Sequence, residues 1–132
     1  MNKRSKTGSR LILVLGGAAS GKSQAALEQA GHKAPKAFVA TGQALDGEMK
    51  ARIARHRATR SADWITAEVP RDLAAWFQSE GTGYRTIVVD CVTLWLSNVC
   101  GRRIAGMDMS TRVDGVLQAI RRTPARVVLV SN

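Results

Sequence analysis

Apolar residues along the chain fall into short unbroken runs, separated by longer stretches of mixed character. Leu11 to Leu15 is a continuous apolar run, the pattern of a strand buried on both faces. Gly16 to Gly21 is a small-residue loop, and Lys22 to about Ala30 reads as a helix closed by Gly31. Ala37 to Ala40 is a second short strand. Leu45 to Ala58 reads as a helix capped by Asp46, with Glu48 in its first turn. A short strand over Trp64 to Ala67 and a helix over Pro70 to Ser79 follow, with Pro70 in the first turn. Thr86 to Asp90 is the second strongly apolar strand; helices over Val92 to Val99 and Ser110 to Arg121, and a strand over Val127 to Val130, complete the series. Apolar strands alternating with helices predict an α/β fold whose parallel sheet is covered on both faces. No repeat is present, and no low-complexity segment beyond the first ten residues.

Composition narrows the class. A chain of 132 residues, 45% hydrophobic, fits one globular domain rather than a disordered chain. No apolar run approaches the roughly 18–20 residues of a membrane helix, and the basic start leads into only five strongly apolar residues, too few for a secretory signal. Cys91 and Cys100 make neither a disulfide framework nor a Cys-rich zinc site. The expectation is a soluble cytoplasmic protein with reduced thiols. The formal net charge is +10, and four of the positive charges, Lys3, Arg4, Lys6 and Arg10, lie in residues 1–10, read as a basic disordered leader. Such a balance suits anionic partners in general: nucleotides, a phosphorylated substrate or nucleic acid. No basic motif interleaved with aromatics points to nucleic acid, so no nucleic-acid partner is expected.

The candidate chemistry begins at residues 16–23, GGAASGKS, where Gly16, Gly21, Lys22 and Ser23 fit the pattern G-x-x-x-x-G-K-[ST]. The pattern follows an apolar strand and opens a helix. Backbone amides of Gly16, Gly17, Ala18, Ala19, Ser20 and Gly21 would turn inward around phosphates, with the positive end of the helix dipole behind them. Lys22 would reach the β- and γ-phosphates of ATP or GTP, and Ser23 would hold Mg²⁺. Asp90 ends an apolar strand, where an acid suits the Mg²⁺ side of a phosphate site; the competing reading is a cap for the helix that follows.

On a helix, Leu45, Arg52 and His56 fall within about 40° of one another, so His56 borders the apolar stripe among arginines. Neighbouring positive charge favours neutral imidazole, which is a nucleophile, and the arginines suit phosphate. By composition alone His56 reads first as a surface histidine of a basic helix. His32, just past a helix end, is assigned no role. Trp64, Trp76 and Trp95 read as core or interface residues, and both cysteines as inert buried thiols.

Four stretches in this order resemble the bifunctional adenosylcobinamide kinase / adenosylcobinamide-phosphate guanylyltransferase family: LVLGGAASGKS (13–23), FVATGQALDGEMKARIARHRATR (38–60), WITAEVP (64–70) and VVDCVTLWLSN (88–98), with VVLVSN (127–132) at the end. The resemblance implies a RecA-like P-loop fold over 11–132 and a homotrimer. It implies two reactions: phosphorylation of adenosylcobinamide by ATP or GTP, then transfer of GMP from GTP to adenosylcobinamide-phosphate through a guanylylated histidine, releasing pyrophosphate. The pattern Arg-Ile-x-x-His puts that role on His56. Arg52, Arg60 and Glu68 match positions near the nucleotide. Ala19 stands where the family often has Arg. The family continues past the position of Asn132, so the domain is expected to lack a C-terminal part, leaving a sheet edge and one face uncovered. A nucleotide-binding remnant without turnover, or another small-molecule P-loop kinase, are the alternatives.

Overall fold

The computed structural model describes residues 10–16, 21–42, 63–100 and 106–131. Strands β1 (Leu11–Leu15), β2 (Lys36–Ala40), β3 (Trp64–Glu68), β4 (Thr86–Asp90) and β5 (Arg126–Ser131) form one sheet in the order β1-β5-β4-β2-β3. Every pairing is parallel. The helices are α1 (Lys22–Ala30), α2 (Leu73–Ser79), α3 (Val92–Cys100) and α4 (Gly106–Arg122). The α/β fold predicted from alternation is the one observed. The helix expected over residues 45–58 lies outside the described residues, as do residues 1–9 of the leader.

Alternation along each strand divides two cores. On one face Phe38, Val88, Val128 and Val130 pack beneath Ala26 and Ala30 of α1. On the other, Val39, Ile87, Val89 and Val127 meet Leu73 and Phe77 of α2, Trp95 and Val99 of α3, and Val116 and Ile120 of α4. Ile87, Val88 and Val89 of central β4 are fully buried, so both faces of that strand are covered. Each such side chain contributes roughly 1.5–3 kcal/mol.

β1 departs from the expectation of burial on both faces. Leu11, Leu13 and Leu15 are 41%, 56% and 66% exposed. The reason is position: among the described residues β1 is an edge strand paired only with β5. Ile12 and Val14 point under α1, while the three leucines point to the face of α2, α3 and α4. An unbroken apolar run does not distinguish an edge strand from a central one.

Two helix boundaries also differ. α2 starts at Leu73 rather than Pro70. The carbonyls of Pro70 and Arg71 are taken by Asn98 and Trp95 of α3 instead of by a helical turn. α4 begins about a turn before Ser110, because Met109 and Val113 extend its apolar stripe onto the core. At the amino ends of the strands, guanidinium groups close helix C-termini. Arg10 donates to Thr123 O at 2.7 Å, and Arg126 Nε donates to Gln29 O at 2.9 Å.

The tryptophans fill the packing roles expected of them. Trp95 is buried and its indole N–H donates to Arg71 O at 2.9 Å. Trp76 stacks on Tyr84, with ring centroids 5.9 Å apart. Trp64 meets Phe38 edge-on and lies under the ammonium of Lys36, which pairs with Asp63 at 3.0 Å. Cys91 is half-buried and its Sγ accepts from Leu94 N. Cys100 corrects the expectation of a buried thiol: it is exposed, because Val99 takes the inward position at the end of α3.

Ile87→Ala is expected to cost about 2–5 kcal/mol in urea unfolding, and Leu13→Ala on the same sheet face under about 1 kcal/mol, because only the first leaves a cavity. Gly21 holds φ +76° ahead of α1, so Gly21→Ala is expected to cost about 1–2 kcal/mol by the same assay.

Candidate nucleotide site

In an all-parallel sheet every carboxyl end lies on one edge, and ligand sites in such sheets form there. The register makes the edge explicit. Val14, Val130, Asp90, Ala40 and Glu68 are laterally paired in one row across all five strands. Residues of one row point to one face, here the face carrying α1.

The phosphate-loop motif enters this edge from β1. Gly16 N donates to Ser131 O at 3.3 Å, tying the start of the loop to the end of β5. Gly21 lies in the left-handed region immediately before α1, and Ala25 N donates to its carbonyl at 3.1 Å, closing the first turn. Gly21 has no side chain with which to cap the helix, and the first turn holds no acidic residue. The amide groups there keep their positive character toward an anion. Lys22 is buried at the first position of α1. Gly17, Ala18, Ala19 and Ser20 lie outside the described residues.

Asp90 sits two strands from β1 in the row, about 10 Å away at normal strand spacing. It shares a face with α1, whose first residue is Lys22. Its half-buried position at the strand end puts a carboxylate on the edge where the motif opens. Glu68 is exposed in the same row, two strands further out at the opposite sheet edge. Arg52, His56 and Arg60 lie outside the described residues. They belong to the stretch between Gly42 and Asp63, which leaves the carboxyl end of β2 and returns to the start of β3. His32 is exposed at the amino end of the sheet, away from this edge.

The structure brings in residues that local pattern did not reveal. Thr41, fully buried just past β2, donates from Oγ1 to Cys91 O at 2.7 Å and accepts from Cys91 N at 2.9 Å. Its own amide donates to Asp90 O at 3.1 Å. Asn98 Nδ2 on α3 donates to Thr41 O at 2.8 Å and to Pro70 O at 3.1 Å. Arg71, half-buried after β3, holds a buried Nε with no hydrogen-bond partner among the described residues. These contacts span 28 to 57 residues in sequence, so no local spacing announces them.

The carboxyl edge thus carries a glycine turn, a helix N-terminus and a buried lysine, with an acid at the end of β4. Among the described residues no helix is long and apolar enough to cross a membrane. Comparison with known proteins agrees with the sequence resemblance. Residues 12–132 match the family model described as cobinamide kinase / cobinamide phosphate guanyltransferase. The chain is 45% identical over 125 residues to the bifunctional adenosylcobalamin biosynthesis protein CobP of Pseudomonas aeruginosa, covering 91% of this chain and 69% of that protein. It is 36% identical over 134 residues to the bifunctional adenosylcobalamin biosynthesis protein CobU of Salmonella typhimurium, covering 92% of this chain and 74% of the relative. The corresponding CobU of Escherichia coli is 32% identical over the same length. A match spanning nearly all of the residues after the first ten places this chain in the cobinamide kinase / cobinamide phosphate guanyltransferase family of enzymes.

Proposed function

We propose that this chain phosphorylates adenosylcobinamide with ATP or GTP and then transfers GMP from GTP to the resulting phosphate, giving adenosylcobinamide-GDP and pyrophosphate. The observation that supports this reading is that α1 begins with Gly21 and Lys22 at the carboxyl end of β1 and packs on the sheet face to which the Asp90 position of β4 belongs. Phosphoryl transfer asks mainly for positioning and charge neutralisation, and those residues supply both.

In the kinase step Lys22 and the amides of residues 16–21 hold the β- and γ-phosphates. The hydroxyl of the substrate's aminopropanol arm attacks the γ-phosphorus, and the bond to the β–γ bridging oxygen breaks. Mg²⁺ is commonly held by one or two carboxylates with substrate phosphates rather than by an all-protein cage. Asp90 at the strand end would be such a carboxylate and Ser23 of the motif the second residue to hold the ion, which would supply charge neutralisation at the phosphates. In the second step a nitrogen of His56 attacks the α-phosphorus of GTP, forming a P–N bond as pyrophosphate leaves. A phosphate oxygen of adenosylcobinamide-phosphate then displaces the histidine from that phosphorus. Arg52 and Arg60 offset the phosphate charge, and Glu68 stands at the outer end of the row. The proposed assembly is a homotrimer.

GTP labelled at the α-phosphate tests the second step. Label retained after denaturation, lost in acid and absent from His56→Ala is the expected outcome. Label held only before denaturation would overturn covalent transfer and leave nucleotide binding. Lys22→Ala is expected to weaken nucleotide retention at least about tenfold, since it removes a charged hydrogen-bond donor. An unchanged affinity in equilibrium dialysis would remove the motif from the site.

A further inference from the structure

We infer that Thr41 and Asn98 are positioning residues: together they set the backbone from which Asp90 projects and the point at which the His56-bearing stretch leaves the sheet. The inference rests on the reading of Asp90 as the Mg²⁺-side acid.

β2 and β4 are paired through Ala40 and Asp90, where the regular strands end. One further ladder bond, Thr41 N to Asp90 O, carries the pairing past both ends. Beyond it the ladder would fray, yet Thr41 Oγ1 replaces it by binding both the N–H and the carbonyl of Cys91. Three bonds from one residue therefore bracket Asp90 on its C-terminal side. The peptide group that follows the acid, and the next one, cannot rotate without breaking at least one of them. The hydroxyl is buried, so each broken bond would leave a polar group away from water.

Asn98 holds the other side of Thr41. Its amide donates to Thr41 O and to Pro70 O, pinning the chain after β2 and the turn after β3 to the same helix. Val69 N also donates to Ala40 O at 2.8 Å. The carboxyl ends of β2, β3 and β4 are thus joined around one buried threonine. Two residues past Thr41 the chain enters the stretch 43–62, which carries Arg52, His56 and Arg60. The residue that braces the backbone after the acid is thus also the one whose carbonyl Asn98 holds, just before the stretch bearing His56.

GTP affinity measured with Mg²⁺ and in EDTA separates this role from general stability. Asp90→Asn is expected to abolish the gain in affinity that Mg²⁺ gives the wild-type chain. Thr41→Val, equal in shape but without the hydroxyl, is expected to lose at least about fivefold of that gain while affinity in EDTA stays within about twofold. Thr41→Ser keeps the hydroxyl and is expected to restore the gain. Asn98→Ala removes two donors from outside the ladder and is expected to lose about threefold in the same direction. Retention of the Mg²⁺ gain by Asp90→Asn would overturn the reading of the acid itself. Loss in Asp90→Asn with full retention in Thr41→Val and Asn98→Ala would overturn the positioning role alone. An equal loss with and without Mg²⁺ in the Thr41 and Asn98 variants would reduce both residues to structural support and overturn it too. Should Thr41→Val not fold by circular dichroism, the Thr41→Ser and Asn98→Ala measurements decide on the same criteria.

Discussion

The constraint on which the rest depends is the unbroken parallel register across five strands. Parallel pairing sends every carboxyl end to one edge, and in-register pairing sends every residue of a row to one face. Val14, Val130, Asp90, Ala40 and Glu68 share a row, so the end of β1, the acid of β4 and the start of the His56-bearing stretch come to one side of the sheet. A slip of one residue in β4 would turn Asp90 to the opposite face and put Val89 in its place. That slip would carry the hydroxyl of Thr86 to the fully buried position of Ile87, away from its acceptor Lys33 O, and this is what opposes it. The register of an apolar strand therefore fixes the orientation of a charged group.

The two edges of the sheet use charge differently. At the amino ends Arg10 and Arg126 are spent on the C-termini of α4 and α1, where backbone carbonyls attract cations. At the carboxyl ends the positive character comes from a helix N-terminus and from buried Lys22. Among the described residues, Lys22 thus lies where the strands end, while Arg10 and Arg126 close helix termini at the other side. Bulk charge gave a class of partners; the topology selects the edge that would receive them.

Much of this was legible in the sequence because the signals were local. Apolar runs located the five strands within a residue or so, and the Gly-Lys-Ser junction placed the start of α1. What failed or went unseen was set by neighbours distant in the chain. Leu11 to Leu15 is as apolar as a central strand, and only its place at the sheet edge exposes every second residue. Pro70 is a good first residue for a helix, yet Asn98 and Trp95 claim the carbonyls around it. Thr41 reads as an ordinary polar residue after a strand, and its partners lie 50 and 57 residues away. Local pattern records what a segment prefers, whereas these positions are decided by what packs against it.

The central claim is that the carboxyl edge of the sheet, on the face of α1, receives the nucleotide. Amide hydrogen exchange measured with and without GTP and Mg²⁺ addresses it most directly. The account predicts slowed exchange in the first turn of α1 after Gly21 and at Thr41 and Cys91, with no change in the segment before β2 at the opposite edge. Protection confined to that opposite edge, or none in the first turn of α1, would contradict it.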